Sequence, residues 1–351
     1  MINNFNYKIY NEINPSLESI WKNSEKENVS HIFQEINFIK EYIKNKKLNL
    51  YFVAIFSGKE LLILLPLEIK NFYGIKILQF IGTKEFDYCS PIIVKIKKKI
   101  NENEFNEIWK KILNDINNYD LILLDKQPEI IGGIENPLVK YFNNTFLSKV
   151  YLIRLPNSEK EYFEKFLDKK FLNEFQRTTK KLNLDYDLNF KILENDGAIN
   201  LSKIINNKAY MLNKKKINHI LDEKFINYFI ELNKIKKEFF HISILEINKE
   251  IVAANFGFLY KKTFYYYLPT IFSDKFKKFS PGKVLISYLI VWCIKNNISF
   301  FDFGMGDESY KKYWSNNNIS TFRYLKHKNL KGLFFCLLLK VFKFLKSFKK
   351  R

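Results

Sequence analysis

Positions 301–314 read FDFGMGDESYKKYW, which sets three carboxylates (Asp302, Asp307, Glu308), a phenol (Tyr310) and an amine (Lys311) around two glycines. A phosphate cradle needs backbone N–H groups clear of negative charge. Asp307 and Glu308 would repel a phosphate, and Ser309 occupies the place of the third glycine in G-x-G-x-x-G. Proton transfer is the chemistry that remains. Asp302 and Gly304 share a strand face, so a carboxylate arrives where the sheet ends. Burial among Phe300, Phe301 and Phe303 would raise its pKa toward the range of a general base. Asp307 and Tyr310, three apart at a helix start, share a face and can orient an amine or return a proton to a leaving group. A carboxylate that only closes its own turn is the competing reading of Asp302.

A second constellation precedes a long apolar helix, at Ser280-Pro281-Gly282-Lys283. Serine can cap, proline suits the first helical position and glycine lets a ligand approach the backbone. Lys283 is the one charge before Val284, Leu285, Ile286, Leu289 and Ile290. This is either an anion site at a helix N-terminus or an ordinary start to a core helix.

The elements that hold these residues recur. NLYFVAIFSGKELLILLPLEI (49–69) and FFHISILEINKEIVAANFGFLY (239–260) both read as β-hairpins. Each is followed by a strand, a helix and another strand: IKILQFIG, ENEFNEIWKKILNDINN and YDLILLD, then TFYYYLP, PGKVLISYLIVWCIKN and ISFFDFG. One order occurring twice predicts two α/β domains of similar build, joined near 129–145. The expected limits are 1–148 and 149–329, with a tail from 330 to 351.

Composition excludes several classes. With 351 residues, 47% hydrophobic and 17% aromatic, there is material for two packed cores. Three cysteines and four histidines lie far apart without metal-ligand spacing, so no metal is expected. The start lacks a secretory pattern and no run of 18 uncharged apolar residues occurs, which points to the cytoplasm. The charge of +21 comes from lysines spread along the chain and often set beside Asn or Glu, a solvated surface rather than a specific nucleic-acid site. The segment LKGLFFCLLLKVFKFLKSFKKR (330–351) departs from that pattern, with seven basic residues and no acid. As an amphipathic helix it sets Lys340, Lys343, Lys346 and Lys350 opposite Phe334, Leu337, Val341, Phe344 and Phe348. Its apolar stretch, roughly 24 Å long, is short of a hydrocarbon core and fits an interfacial helix on an anionic membrane. A helix packed on the domain surface is the alternative. On the interfacial reading the protein is peripheral on the inner face of the cytoplasmic membrane, and a chain ending at Lys328 is expected to stay folded.

Tyr265–Pro269, the S-P-G-K-V-L start and the D-F-G-x-G-D-x-x-Y-K-x-x-W pattern of 301–314 resemble the GNAT-superfamily acetyltransferases of the CelD type. That group is associated with cellulose and exopolysaccharide biosynthesis and is related to the Fem peptidyl-transferases. FLNEFQRTTKKLN (171–183) resembles the basic helix that opens the family's second domain. The resemblance implies two tandem GNAT-like domains, with acyl-CoA (acetyl-CoA) bound in the second along Tyr267 and Leu268 and at Ser280, Gly282 and Lys283. It implies an N-acyltransferase acting on an amine of a sugar or cell-envelope precursor. In that reading Asp302, Asp307 and Tyr310 are catalytic, while Arg177, Lys180, Lys181 and Lys311 meet the acceptor. The Fem relatives imply an aminoacyl-tRNA donor as an alternative, an acyl carrier protein is another, and a non-catalytic glycan- or lipid-binding protein is the last.

Overall fold

The computed structural model describes residues 5–44, 46–94, 100–193 and 197–348, without the side chains of 197–199, 340 and 342–348. The chain divides into two compact units, Met1–Ser148 with Ser320–Arg351, and Lys149–Ile319.

In the first unit, β1 (Phe5–Tyr10) pairs antiparallel with β2 (Asn49–Ser57), which forms a hairpin with β3 (Glu60–Phe72). Strand β4 (Ile75–Phe80) lies antiparallel to β3 and parallel to β5 (Leu121–Pro128). Helix α1 (Pro15–Ser24) follows β1, and α2 (Glu102–Asp115) supplies the crossover that a parallel pair requires. The start of α2 is written into the sequence. The Asn101 side chain accepts from the Glu104 N–H while the Glu104 carboxylate accepts from the Asn101 N–H, a capping box.

The second unit repeats this order. After β6 (Thr145–Arg154) come α3 (Lys169–Asp185), β7 (Leu188–Leu193), α4 (Gly197–Lys214) and α5 (Glu223–Ile235). Strands β8 (Phe240–Ile247) and β9 (Glu250–Tyr260) form the hairpin, turning through Asn248 and Lys249 at φ of 51° and 67°. Two left-handed residues match the twist of the strands they join. Strand β10 (Thr263–Ile271), α6 (Pro281–Lys295) and β11 (Phe300–Asp302) complete the repeat, and β10 is parallel to β11. Helix α6 buries Val284, Leu285, Leu289, Ile290 and Cys293 in one cluster with Phe264, Tyr266 and Phe301. An apolar helix with no polar face belongs inside a core. The short α7 (Ser309–Trp314) follows, with Trp314 fully buried against Phe171 and Phe175 of α3.

The last elements depart from the sequence expectation. Strand β12 (Asn317–His327) pairs antiparallel with β5 from Thr321 to His327, and α8 (Leu330–Phe348) follows it. The second unit therefore ends at Ile319 rather than at 329, and 330–348 is no separate tail. The cause is close packing. Gly332 lies so near Asp120 that an added Cβ would stand 2.1 Å from the Asp120 carbonyl oxygen, and Cys336 is buried with Ile77 and Leu121. The expectations for Lys340, Lys343, Lys346, Lys350, Phe344 and Phe348 fall outside the described residues. Among the described residues no helix is long and apolar enough to cross a membrane.

Candidate active site

Strands β10 and β11 pair only over Thr263–Tyr265 and Phe300–Asp302, where β11 ends and β10 continues to Ile271. On the other edge of β10 the register steps from Phe258↔Tyr265 to Phe256↔Leu268, so Tyr266 and Tyr267 oppose the single residue Gly257. That is a β-bulge in β10, which leaves backbone groups out of the ladder where the strands separate. The chain leaving β11 turns through Gly304 and Gly306, with φ of 66° and 117°, a region open to glycine but strained for other residues. The second half of β10 and this turn both lie beyond the point where the β10–β11 ladder ends.

Two lysines define the electrostatics. Lys311 is almost wholly buried. Its ammonium donates to the carbonyl oxygens of Met305 at 2.8 Å, Gly306 at 3.3 Å and Gly304 at 3.4 Å, and it pairs with Glu308 at 2.8 Å. It therefore ties the turn from inside. Lys208 reaches in from α4 and donates to the Pro269 carbonyl at 2.8 Å. Burial lowers its pKa, while Glu308 works in the opposite direction. Beside it the Asn207 amide donates to Thr270 Oγ1 at 2.7 Å and the Ile271 carbonyl at 2.9 Å, so α4 clamps the end of β10.

The carboxylates divide by environment. Asp302 is buried, and its Oδ1 accepts from the Gly304 N–H at 2.7 Å. Asp307 and Glu308 are exposed; Asp307 accepts from the Tyr151 hydroxyl at 3.4 Å. Tyr310 is half-buried near Phe303, and its hydroxyl pKa is raised, first by burial and then by the Glu308 charge. The raised pKa keeps the phenol protonated at neutral pH, so its O–H can donate a hydrogen bond.

The remaining expected residues lie as follows. Tyr267 is half-buried against Phe229, Phe256 and Phe258, and Leu268 is buried. Ser280 makes no side-chain cap and sits at φ 50°, ψ 60°. The Lys283 ammonium lies over the Phe171 ring, 5.3 Å from its centroid, which pins the start of α6 to α3. Gly282 allows close approach, since an added Cβ would lie 3.2 Å from Ile271. Arg177, Lys180 and Lys181 are exposed on α3. A groove of about 410 Å³ along α3, lined by Phe163, Leu172, Phe175 and Lys180, shares none of the residues of the turn. Sequence reading missed Lys208, because nothing local separates it from the other lysines of the chain. Among the described residues no group of three or more His, Cys, Asp or Glu side chains could hold a metal.

Residues 169–312 match the family model described as acetyltransferase (GNAT) domain. No curated protein matches the chain. The crystal structure of FemX is similar over 91% of this chain and 97% of its own, with a TM-score of 0.60 at 9% identity. The structure of L-PGS from Bacillus licheniformis covers 95% and 98%, with a TM-score of 0.54 at 11% identity. The tandem GNAT protein from the clavulanic acid biosynthesis pathway covers 93% and 99%, with a TM-score of 0.52 at 5% identity. At these identities the likeness is one of fold. The chain has a mixed α/β, tandem GNAT-like fold, and the part that matches the acetyltransferase (GNAT) domain model lies in its second unit.

Proposed function

We propose that the chain transfers an acyl group, acetyl in the simplest case, from acyl-CoA to an amine of a sugar or cell-envelope precursor. The observation that carries the reading is the end of the β10–β11 ladder beside a bulge, with Lys208 bonded to Pro269 of β10 and the Glu308 charge felt by both Lys208 and Tyr310. An acyl thioester laid along Tyr266–Pro269 would bring its carbonyl to bulge N–H groups freed from the ladder. The acceptor nitrogen attacks that carbonyl, the C–N bond forms, and the C–S bond breaks as the thiolate leaves.

Each residue has a part in this scheme. Glu308 takes the proton from the attacking amine, and Asp307 orients that amine. Lys208, as an ammonium, faces the negative charge that develops on oxygen in the transition state. Tyr310 returns a proton to the thiolate. Asp302 and Lys311 hold the turn rather than react, and Arg177, Lys180 and Lys181 offer positive charge to an anionic acceptor.

A second reading exchanges the thioester for an aminoacyl-tRNA. It is favoured by the start of α6, where Pro281 has no N–H and the Lys283 N–H is already bonded to the Ser280 carbonyl at 2.8 Å. Few donors remain there for a pyrophosphate. Thiol release from acetyl-CoA with a panel of amino sugars, run beside transfer from charged tRNA, separates the two. Glu308→Gln should lower kcat by roughly 10²–10⁴, the range of a general base. Absence of turnover with every donor would leave a glycan- or lipid-binding protein.

A further inference from the structure

Helix α8 is apolar on the wrong side for a helix that packs on its own domain. Its inner face is accounted for by Gly332 against Asp120, and by Cys336 and Phe335 in the cluster with Ile77 and Leu121. On the outer face Leu330, Phe334, Leu337, Leu338 and Val341 recur at i, i+4, i+7, i+8 and i+11, and all five are exposed, Leu330 by 83% and Phe334 by 61%. A helix on a protein surface normally gives that stripe to polar residues. The β3–β4 hairpin of the same unit adds exposed rings beside the helix. Phe335 lies 5.9 Å from the Phe72 ring, Phe72 lies 4.7 Å from Tyr73, and Tyr73 at the hairpin tip is 92% exposed.

We infer that this face, α8 together with the Phe72–Tyr73 hairpin tip, docks the protein on an anionic lipid bilayer. Charge selects the occupant. The segment 330–351 holds seven basic residues and no acid within a chain of net charge +21. A segment rich in basic residues beside an apolar stripe suits headgroup phosphates above acyl chains, and a ring at a hairpin tip suits the interface. A second copy of the chain would bring the same positive segment against itself.

Sedimentation of the full-length chain with vesicles tests this, using phosphatidylglycerol mixed with phosphatidylcholine and phosphatidylcholine alone. The chain should sediment with the mixed vesicles, and should be released as salt rises through a few hundred millimolar. Leu337→Asp and, separately, Tyr73→Ser should each weaken partitioning at least tenfold with melting temperature unchanged, because both side chains are exposed. Failure to bind mixed vesicles, or equal binding by wild type and both variants, overturns the assignment. So does a dimer in light scattering that Leu337→Asp disperses, since the stripe would then be a contact between copies. None of these readouts involves acyl transfer, so the outcome stands apart from that of the proposed activity.

Discussion

Asp302 serves a turn, while Lys208 is the charged group to which the proposed reaction gives a part. Asp302 gives its Oδ1 to the Gly304 N–H, so Asp302→Asn keeps an acceptor where Asp302→Ala does not. The Ala variant should lose about 1–3 kcal/mol of stability by leaving a buried N–H unmet, while Asn should keep most stability and stay within about tenfold of the normal kcat. Thermal melts and steady-state rates check both, and a large kcat loss in the Asn variant would return Asp302 to the reaction. For Lys208, burial lowers the folded-state pKa below the ordinary 10.5. The unfolded chain therefore binds more protons between those two values, and the contribution of this site to stability rises with pH across that window. Lys208→Met should abolish that rise. If the ammonium is the reactive form, activity falls as Lys208 loses its proton, and Glu308→Gln, which removes an attraction that holds the proton, should move the alkaline limb to lower pH. A pH profile with no alkaline limb would exclude Lys208 from the reaction.

Helices α3 and α6 are joined through aromatic and cationic contacts. Lys283 over Phe171, and Phe171 against Tyr313 and Trp314, fix α3 against the start of α6 and against α7. The exposed Arg177, Lys180 and Lys181 are then free for a mobile partner. Reversing all three to Glu should raise the acceptor KM severalfold and leave the donor KM unchanged, which initial-rate kinetics with each substrate varied in turn would show. Equal effects on both constants would make the α3 face a general electrostatic attractor. The S-P-G-K start made α6 legible as a helix, because proline fixes φ at the first position. The sequence could not say where the Lys283 ammonium goes, since its partner Phe171 lies 112 positions earlier.

At the scale of the molecule, the chain returns to its first unit for its last strand and helix. The clearest consequence concerns truncation. A chain ending at Lys328 would uncover Cys336's neighbours Ile77 and Leu121, so it should melt lower than the full chain, against the expectation of a dispensable tail. Gly332→Val makes the same point at one atom. Its side chain would collide with the Asp120 carbonyl, and the variant should lose about 1–3 kcal/mol by overpacking, read from a denaturant titration. An unchanged midpoint in both proteins would mean that α8 detaches freely in solution.

The sequence by itself determined the order of elements, because hairpin, strand, helix and strand each have a local period and local punctuation that occur twice. It also determined the turn at 301–314, since two glycines between a strand and a helix admit few other readings. Three things required tertiary contacts: which carboxylates are exposed, which lysine reaches β10, and which side of α8 is outside. Lys311 and Lys312 are adjacent and chemically equal in sequence, yet one is buried under three carbonyl oxygens and the other is exposed. Lys208 gains its character from Pro269 and Glu308, 61 and 100 positions away, and burial that depends on distant segments leaves no mark at the residue itself.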